Sequence, residues 1–333
     1  LDEHTPVLVE EVLTALAVRP QGLYVDATFG RGGHSQRILQ ALGPSGRLVA
    51  LDRDPQAVAA GRRRFADEPR LCLVHAEFGE LRNAVQRCLD QWCAAGALPG
   101  AAAQRCDGVL FDFGVSSPQL ADAGRGFSFT QDGPLDMRMD PSRGRPVSAW
   151  LAQASREEIR EVIGTLGEER FAGRIATAIV RERTREPLQR TAQLAALVGR
   201  NVRTREPGKH PATRTFQALR MHVNDELGQI QRGLEQAVAL LAPGGRLVTI
   251  SFHSLEDRTV KQFIRRQAGA DPALAALPLP EAALPRRLRA VGRAVRPASA
   301  EIAANARSRS AVMRVAERLG SGEAHAFSGE GAA

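Results

Sequence analysis

Val25-Asp-Ala-Thr-Phe-Gly-Arg-Gly-Gly-His34 follows a short apolar run, Gly22-Leu-Tyr-Val25, that reads as a strand, and it precedes Ser35 to Leu42, which reads as the start of a helix. Strand, glycine-rich turn and helix in that order let backbone come close to a bound nucleotide. The turn carries Gly30, Gly32 and Gly33, without the G-x-G-x-x-G spacing of the dinucleotide fingerprint. Taken alone it is equally consistent with a tight connection. The next strand shifts the balance. Gly46-Arg-Leu-Val-Ala-Leu51 ends in Asp52, twenty-six residues after Asp26. A carboxylate at the end of a second strand can accept hydrogen bonds from both ribose hydroxyls. Asp54-Pro55 has the form of a helix cap followed by proline at the first helical position, which leaves Asp52 for a ligand.

Outward from this stretch, composition bounds the remaining choices. The chain has 333 residues, 43% hydrophobic and 25% charged, long enough for more than one average domain and a large core. No apolar run approaches the ~18–20 residues of a membrane span. The first residues carry no signal-peptide pattern, so a cytoplasmic location is expected. Cys72, Cys88, Cys93 and Cys106 form no C-x-x-C pair. Free thiols and no metal site are the expectation. The net charge of +8 is uneven: −4 over residues 1–137, +7 over 138–214, zero over 215–284, +7 over 285–318 and −2 thereafter. Only Lys209 and Lys261 are lysines. Compositional bias explains the preference for Arg. It does not explain two basic blocks, which point to a polyanionic partner.

Along the chain, His4 to Leu16 reads as a helix, Pro55 to about Phe65 as another, and Leu71 to Phe78 as strand three. The end of strand three should face the ligand, with Phe78 against a flat ring or in the core. Residues 84–106 form an Ala-rich helix and loop without a functional reading. Asp107 to Asp112 is strand four, running into Phe113-Gly-Val-Ser-Ser-Pro-Gln119, where a carboxylate and two hydroxyls crowd a strand tip. The βα alternation then stops. Ser155-Arg-Glu-Glu158 is a capping box, Arg170 to Glu186 is amphipathic, and Thr191 to Val202 is a further helix, giving an all-helical insertion. Thr215 to Leu241 reads as one long helix, Arg246 to Ser251 as strand five with His253, Glu256 and Asp257 at its tip, residues 268–300 as irregular, and Ser310 to Ala316 as a last strand. The tail beyond 319 is expected to be disordered. The expected domains are residues 1–120 and 212–318, an α/β nucleoside-cofactor domain in two parts, with the basic helical insert at 121–211. Rossmann-type dehydrogenases and class I methyltransferases both fit this α/β pattern. The missing fingerprint, and an acidic Asp26 suited to an amino-acid ammonium, favour S-adenosylmethionine.

Several runs are specific enough to name a family. Asp26-Ala-Thr-Phe-Gly-Arg-Gly-Gly-His-Ser35, Leu51-Asp-Arg-Asp-Pro55, Gly114-Val-Ser-Ser-Pro-Gln119, Asp132-Gly-Pro-Leu-Asp-Met-Arg-Met-Asp140, Lys209-His-Pro-Ala-Thr-Arg-Thr-Phe-Gln217 and Ile250-Ser-Phe-His-Ser-Leu-Glu-Asp257 resemble the RsmH/MraW family. Those are bacterial enzymes that methylate the N4 amine of a cytidine in the decoding region of 16S ribosomal RNA. The likeness covers residues 4–318 and departs at 84–106 and at Phe113, where the family usually has Leu. It implies a class I (Rossmann-like) S-adenosylmethionine-dependent fold. It also implies a 16S ribosomal RNA partner within the 30S subunit, and cofactor contacts from Gly32, Gly33, His34, Asp52, Phe78, Asp112 and Gln119.

Residue types then suggest the chemistry. A cytosine amine is a poor nucleophile because its lone pair is delocalised into the ring, so catalysis would consist of positioning and electrostatics without a covalent intermediate. Asp112, Ser116 and Ser117 are the expected acceptors. No cysteine falls at a strand tip facing the cofactor, which disfavours a C5 mechanism. Arg174, Arg181, Arg185, Arg214 and His253 are the expected RNA contacts, while His253, Glu256 and Asp257 at the tip of strand five are equally candidates to take the proton. A non-catalytic, cofactor-sensing ribosome-assembly factor is the rival reading. A labelled-methyl assay separates the two.

Overall fold

The computed structural model describes residues 6–97, 105–202, 210–269 and 286–320. They form two compact units, Leu1–Gly114 with Leu227–Ala333, and Val115–Glu226. In chain order the first helices are α1 (Val9–Leu16), α2 (Gly33–Ala41), α3 (Pro55–Arg64) and α4 (Leu81–Ala94). The second unit holds α5 (Ser117–Ala121), α6 (Val147–Gln153), α7 (Arg156–Gly167), α8 (Ala172–Arg183), α9 (Thr191–Asn201) and α10 (Thr213–Val223). Then follow α11 (Glu226–Leu240), α12 (Ser254–Gln267) and α13 (Ser299–Ala304).

The first unit is built on a sheet of β1 (Leu23–Asp26), β2 (Arg47–Asp52), β3 (Leu71–His75), β4 (Cys106–Asp112), β5 (Leu241–Ser251), β6 (Leu288–Ala290) and β7 (Val312–Arg318), in the order β3-β2-β1-β4-β5-β7-β6. The first five run parallel, while β7 is antiparallel to both β5 and β6. Parallel strands are buried on both faces, which is why they read as near-continuous apolar runs. The period of two divides each strand between two cores. Val25, Val49, Val109, Phe111 and Leu247 pack with Leu81, Val85 and Leu89 of α4 and with residues of α11 and α12. Tyr24, Leu48, Leu110 and Val248 face the other way, toward Val12, Leu16, Ile38 and Leu39 of α1 and α2. Strand order reverses between β1 and β4, and open α/β sheets bind ligands beyond the carboxyl ends of their strands at such a point.

The second unit has its own core of Val147, Leu151, Ile159, Ile163, Ile175, Ile179, Leu194, Val198, Phe216 and Leu219, drawn from α6 to α10. The expected capping box opens α7: the Ser155 N–H donates to Glu158 Oε2 at 2.7 Å and the Glu158 N–H to Ser155 Oγ at 3.1 Å. The loop through Met139 is fastened by buried Asn224. Its Oδ1 accepts the Met139 N–H at 2.8 Å and its Nδ2 donates to Met137 O at 2.7 Å.

Four expectations change. The segment 121–211 is too narrow for the second unit, because Val115, Leu120, Phe216 and Leu219 pack in its core. The helix expected from Thr215 to Leu241 is two helices, broken at Asn224 and Asp225, where Asp225 takes φ 47° and Asn224 turns to the 137–139 backbone. Within 268–300 the described part is largely irregular, as expected, but Leu288–Ala290 is a strand that pairs with Arg318, Glu317 and Ala316. Cys72 and Cys88 are not free thiols but a disulfide tying β3 to α4. The helix expected in 84–106 is α4, which lays Ala84, Val85, Cys88, Leu89 and Trp92 on the sheet. Residues 98–104, Lys209 and the tail from 321 lie outside the described residues. No described helix is long and apolar enough to cross a membrane.

Candidate active site

The tips of β1, β2 and β4 carry three carboxylates, each in a different setting. Asp26 ends β1 at 1% exposure. Its Oδ2 accepts from Ser35 Oγ at 2.6 Å and its Oδ1 from the Thr28 N–H at 3.2 Å. Burial raises its pKa above the ordinary value, against the lowering effects of Ser35, His34 and the Thr28 N–H. Asp26 therefore fastens the glycine turn to α2 and is not the open acid expected for an ammonium group. Thr28 and Ser35 were missed as site residues. Their only signal was their place inside the quoted stretch.

The turn itself needs glycine. Gly32 caps α2 at φ 75°, and a Cβ there would lie 2.6 Å from the Phe29 ring. A Cβ on Gly33 would lie 2.4 Å from Pro6 Cγ. The loop meets β2 through Asp52, whose Oδ2 accepts the Gly30 N–H at 2.7 Å and whose Oδ1 accepts the Asp54 N–H at 2.8 Å. Burial pushes the Asp52 carboxyl up to about 6 despite these donors. Asp54 is the cap expected, accepting the Gln56 N–H at 2.9 Å. Beside them Arg53 and Glu77 form an ion pair at 2.8 Å that ties the ends of β2 and β3. Phe78 follows β3 and meets Phe111 edge-on, with ring centroids 5.7 Å apart. It is partly buried against the core, so it is both a core aromatic and a wall at the end of β3.

His34 and Asp112 are seventy-eight residues apart in the chain, and the fold places His34 Nε2 3.6 Å from Asp112 Oδ2. The His34 ring is 6% exposed and Asp112 25%. Asp112 is positioned from behind, its N–H donating to Thr28 Oγ1 at 2.7 Å. Neither His34 Nε2 nor Asp112 Oδ1 has a hydrogen-bond partner among the described residues, although both atoms are buried. Burial alone would lower the His34 pKa, but Asp112 and then Asp26 outweigh it and raise it. Two buried polar atoms left open at one strand tip mark a place for a polar ligand.

Beyond Gly114 the chain enters the second unit. There Ser116 stands at the N-cap of α5, Ser117 opens the helix, and Gln119 Oε1 accepts the Ser116 N–H at 2.9 Å. Gln119, an expected pocket residue, is thus buried in a helix cap. Arg174, Arg181 and Arg185 are exposed on and just after α8. Arg214 donates to Glu168 O at the end of α7, at 2.6 Å. His253 lies at the tip of β5 as expected, but its ring, 14% exposed, caps α12 and sits 3.0 Å from Glu256 Oε1.

A family model described as the MraW methylase family matches residues 2–319. The chain belongs to the MraW methylase family. Among similar proteins, ribosomal RNA small subunit methyltransferase H of Dechloromonas aromatica (strain RCB) is 56% identical over 317 residues, covering 95% of this chain and 98% of that protein. The protein of the same name from Azoarcus sp. (strain BH72) is 56% identical over 319 residues, covering 96% and 97%. A solved structure titled a putative rRNA-methylase from Clostridium thermocellum aligns over 93% of this chain and 95% of that one at 11% identity, with a TM-score of 0.41. As an MraW methylase the chain is an S-adenosylmethionine-dependent methyltransferase of class I fold. The site fits that cofactor: a side-chain-free cradle at Gly32 and Gly33, a carboxylate at the end of β2, and two unpartnered buried polar atoms between α2 and β4.

Proposed function

We propose that this MraW methylase transfers a methyl group to the N4 amine of a cytidine in the decoding region of 16S ribosomal RNA, within the cytoplasmic 30S subunit. The observation that carries the chemistry is the Asp112 carboxylate, with one oxygen toward His34 Nε2 and the other buried and unpartnered. S-adenosylmethionine supplies a methyl group on a sulfonium, already activated for attack. Gly32, Gly33 and His34 would hold its amino-acid part, Asp52 its ribose hydroxyls, and Phe78 would line its adenine side.

The chain's own task is to prepare the amine. Asp112 Oδ1 accepts one amine N–H, which draws electron density away from the ring and favours the tetrahedral nitrogen that can attack. His34 holds the other carboxylate oxygen and keeps the group in one orientation. Ser116, the N-cap of α5, and Ser117, its first residue, are further acceptors in the chain that follows Asp112. Once the methyl has arrived the nitrogen is cationic and strongly acidic, so a carboxylate suffices to take its proton. This is positioning and electrostatics. A covalent C5 route needs a thiolate at the strand tips. Cys72 and Cys88 are bonded to each other, and Cys106 starts β4 fully buried, its thiol pushed up to about 12 by burial.

The test is Asp112→Asn, assayed in a single turnover at saturating cofactor. Losing the charge should lower the rate at least ~100-fold, the low end of general acid–base contributions. An unchanged rate would move the acceptor function to Ser116 and Ser117. A folded parent protein that binds cofactor yet transfers no methyl group to RNA or to 30S particles would instead favour the cofactor-sensing reading.

A further inference from the structure

The functional reading leaves the second basic block unused, +7 over residues 285–318. The sheet register places part of it at the reacting end. Ser251, the last residue of β5, pairs with Val312, the first of β7, and Asp112 pairs with Ile250. The amino end of β7 therefore lies beside the carboxyl ends of β4 and β5. The chain after β6 runs along β7 toward the same end: the Val291 N–H donates to Val315 O, and Val295 bridges to Met313. Arg293 and Arg296 flank that bridge, and Arg309 lies in the turn Ala306–Ser310 just before β7. All three are exposed.

The nearby acids are already engaged. Asp257 holds Arg314 through two bonds of 2.6 and 2.9 Å. Glu301 Oε1 accepts the Leu8 N–H at 2.8 Å. Glu317, toward the other end of β7, pairs with Arg246 and Arg289. Arg293, Arg296 and Arg309 have no acidic partner among the described residues. The result is an uncompensated positive edge on the methyltransferase unit, at the end of the sheet where the substrate must arrive.

We infer that Arg293, Arg296 and Arg309 form a phosphate-binding edge that grips the RNA backbone flanking the target cytidine, separate from the arginines of the helical unit. The inference rests on the reading that RNA is the substrate. Guanidinium groups at such an edge neutralise phosphates and release counterions, fixing the register of the strand without reading its sequence.

The test is the full chain carrying Arg293→Gln, Arg296→Gln and Arg309→Gln, titrated with a decoding-region 16S RNA fragment between 50 and 300 mM salt. A control carries Arg62→Gln, Arg63→Gln and Arg87→Gln, exposed on α3 and α4 near the opposite, β3 edge. Three lost phosphate contacts should flatten the slope of log affinity against log salt by about two, and weaken binding about 100-fold at 0.1 M salt. Cofactor affinity and Tm should stay at the parent's values, and the control should keep most of the parent slope. A triple variant with the parent slope, or a control that loses as much, overturns the inference while leaving RNA methylation intact. A parent protein that neither binds nor methylates RNA overturns the functional reading, and this inference with it.

Discussion

Asp52 carries a built-in pH response. Its carboxyl lies at about 6 in the folded protein against 3.8 when unperturbed, because burial outweighs the Gly30 and Asp54 N–H donors. For folding alone, a raised carboxyl contributes stability that is fully present below about 4 and is lost as pH rises through about 6. Cofactor binding runs the other way, because the ribose hydroxyls need the ionised acceptor. Affinity should be full above about 6 and fall as pH drops through it. Calorimetry across pH 5 to 8 checks this: Asp52→Asn should flatten the profile, and Asp52→Ala should weaken binding about 10- to 100-fold, roughly 1.5–3 kcal/mol for charge-assisted bonds. A parent profile without a break near 6 would remove Asp52 from the ribose. The glycine turn and Asp52 were legible in the sequence because both belong to one local strand–turn–helix pattern. The His34–Asp112 pair was not legible from local pattern. Its partners are brought to 3.6 Å only by β1 and β4 lying side by side, and a histidine after a glycine turn otherwise reads as an ordinary helix start.

At the scale of elements, α8 and the β3–α4 tie carry separate predictions. Arg174 and Arg181 are two turns apart on α8, exposed on one side, with Ile175 and Ile179 buried on the other. Replacing Arg174, Arg181 and Arg185 with Gln should flatten the salt dependence of RNA binding and leave cofactor affinity unchanged. Loss of cofactor binding with RNA binding intact would make the helical unit a lid. Where β3 meets α4, the Cys72–Cys88 bond closes a loop with a sequence separation of 16. Thiol titration of the denatured, unreduced protein should find only Cys93 and Cys106 free. Cys88→Ala should cost about 3 kcal/mol in urea unfolding if the bond acts on the unfolded chain. Four reactive thiols in the unreduced protein would contradict the bond. Periodicity located most helices but could not see the break at Asn224, because Leu219, Val223, Leu227 and Ile230 keep helical spacing across it. What breaks the helix is a long-range bond from Asn224 to the Met137 and Met139 backbone. The strand β6 escaped for a similar reason: three residues make a strand only because β7 lies beside them.

Across the whole molecule, two kinds of architecture divide one task. The parallel sheet gathers Asp52 and Asp112 at strand tips, with His34 in the first turn of α2 beside them, where five strands end on the same side. The helical unit has a core of its own and exposes Arg174, Arg181 and Arg185. Charge does not follow that division: of the two blocks of +7, residues 138–214 fall in the helical unit and residues 285–318 in the sheet unit. Composition revealed the two basic blocks, while the register of β5, β7 and the chain after β6 was needed to place the second. What decides the function is the atom that receives the methyl group. The direct measurement is to incubate the protein with methyl-labelled S-adenosylmethionine and 30S particles lacking the modification, digest the RNA to nucleosides, and identify the labelled one by mass and retention time. N4-methylcytidine is the expected labelled product. Label in 5-methylcytidine, or on a ribose 2′-oxygen, would contradict it.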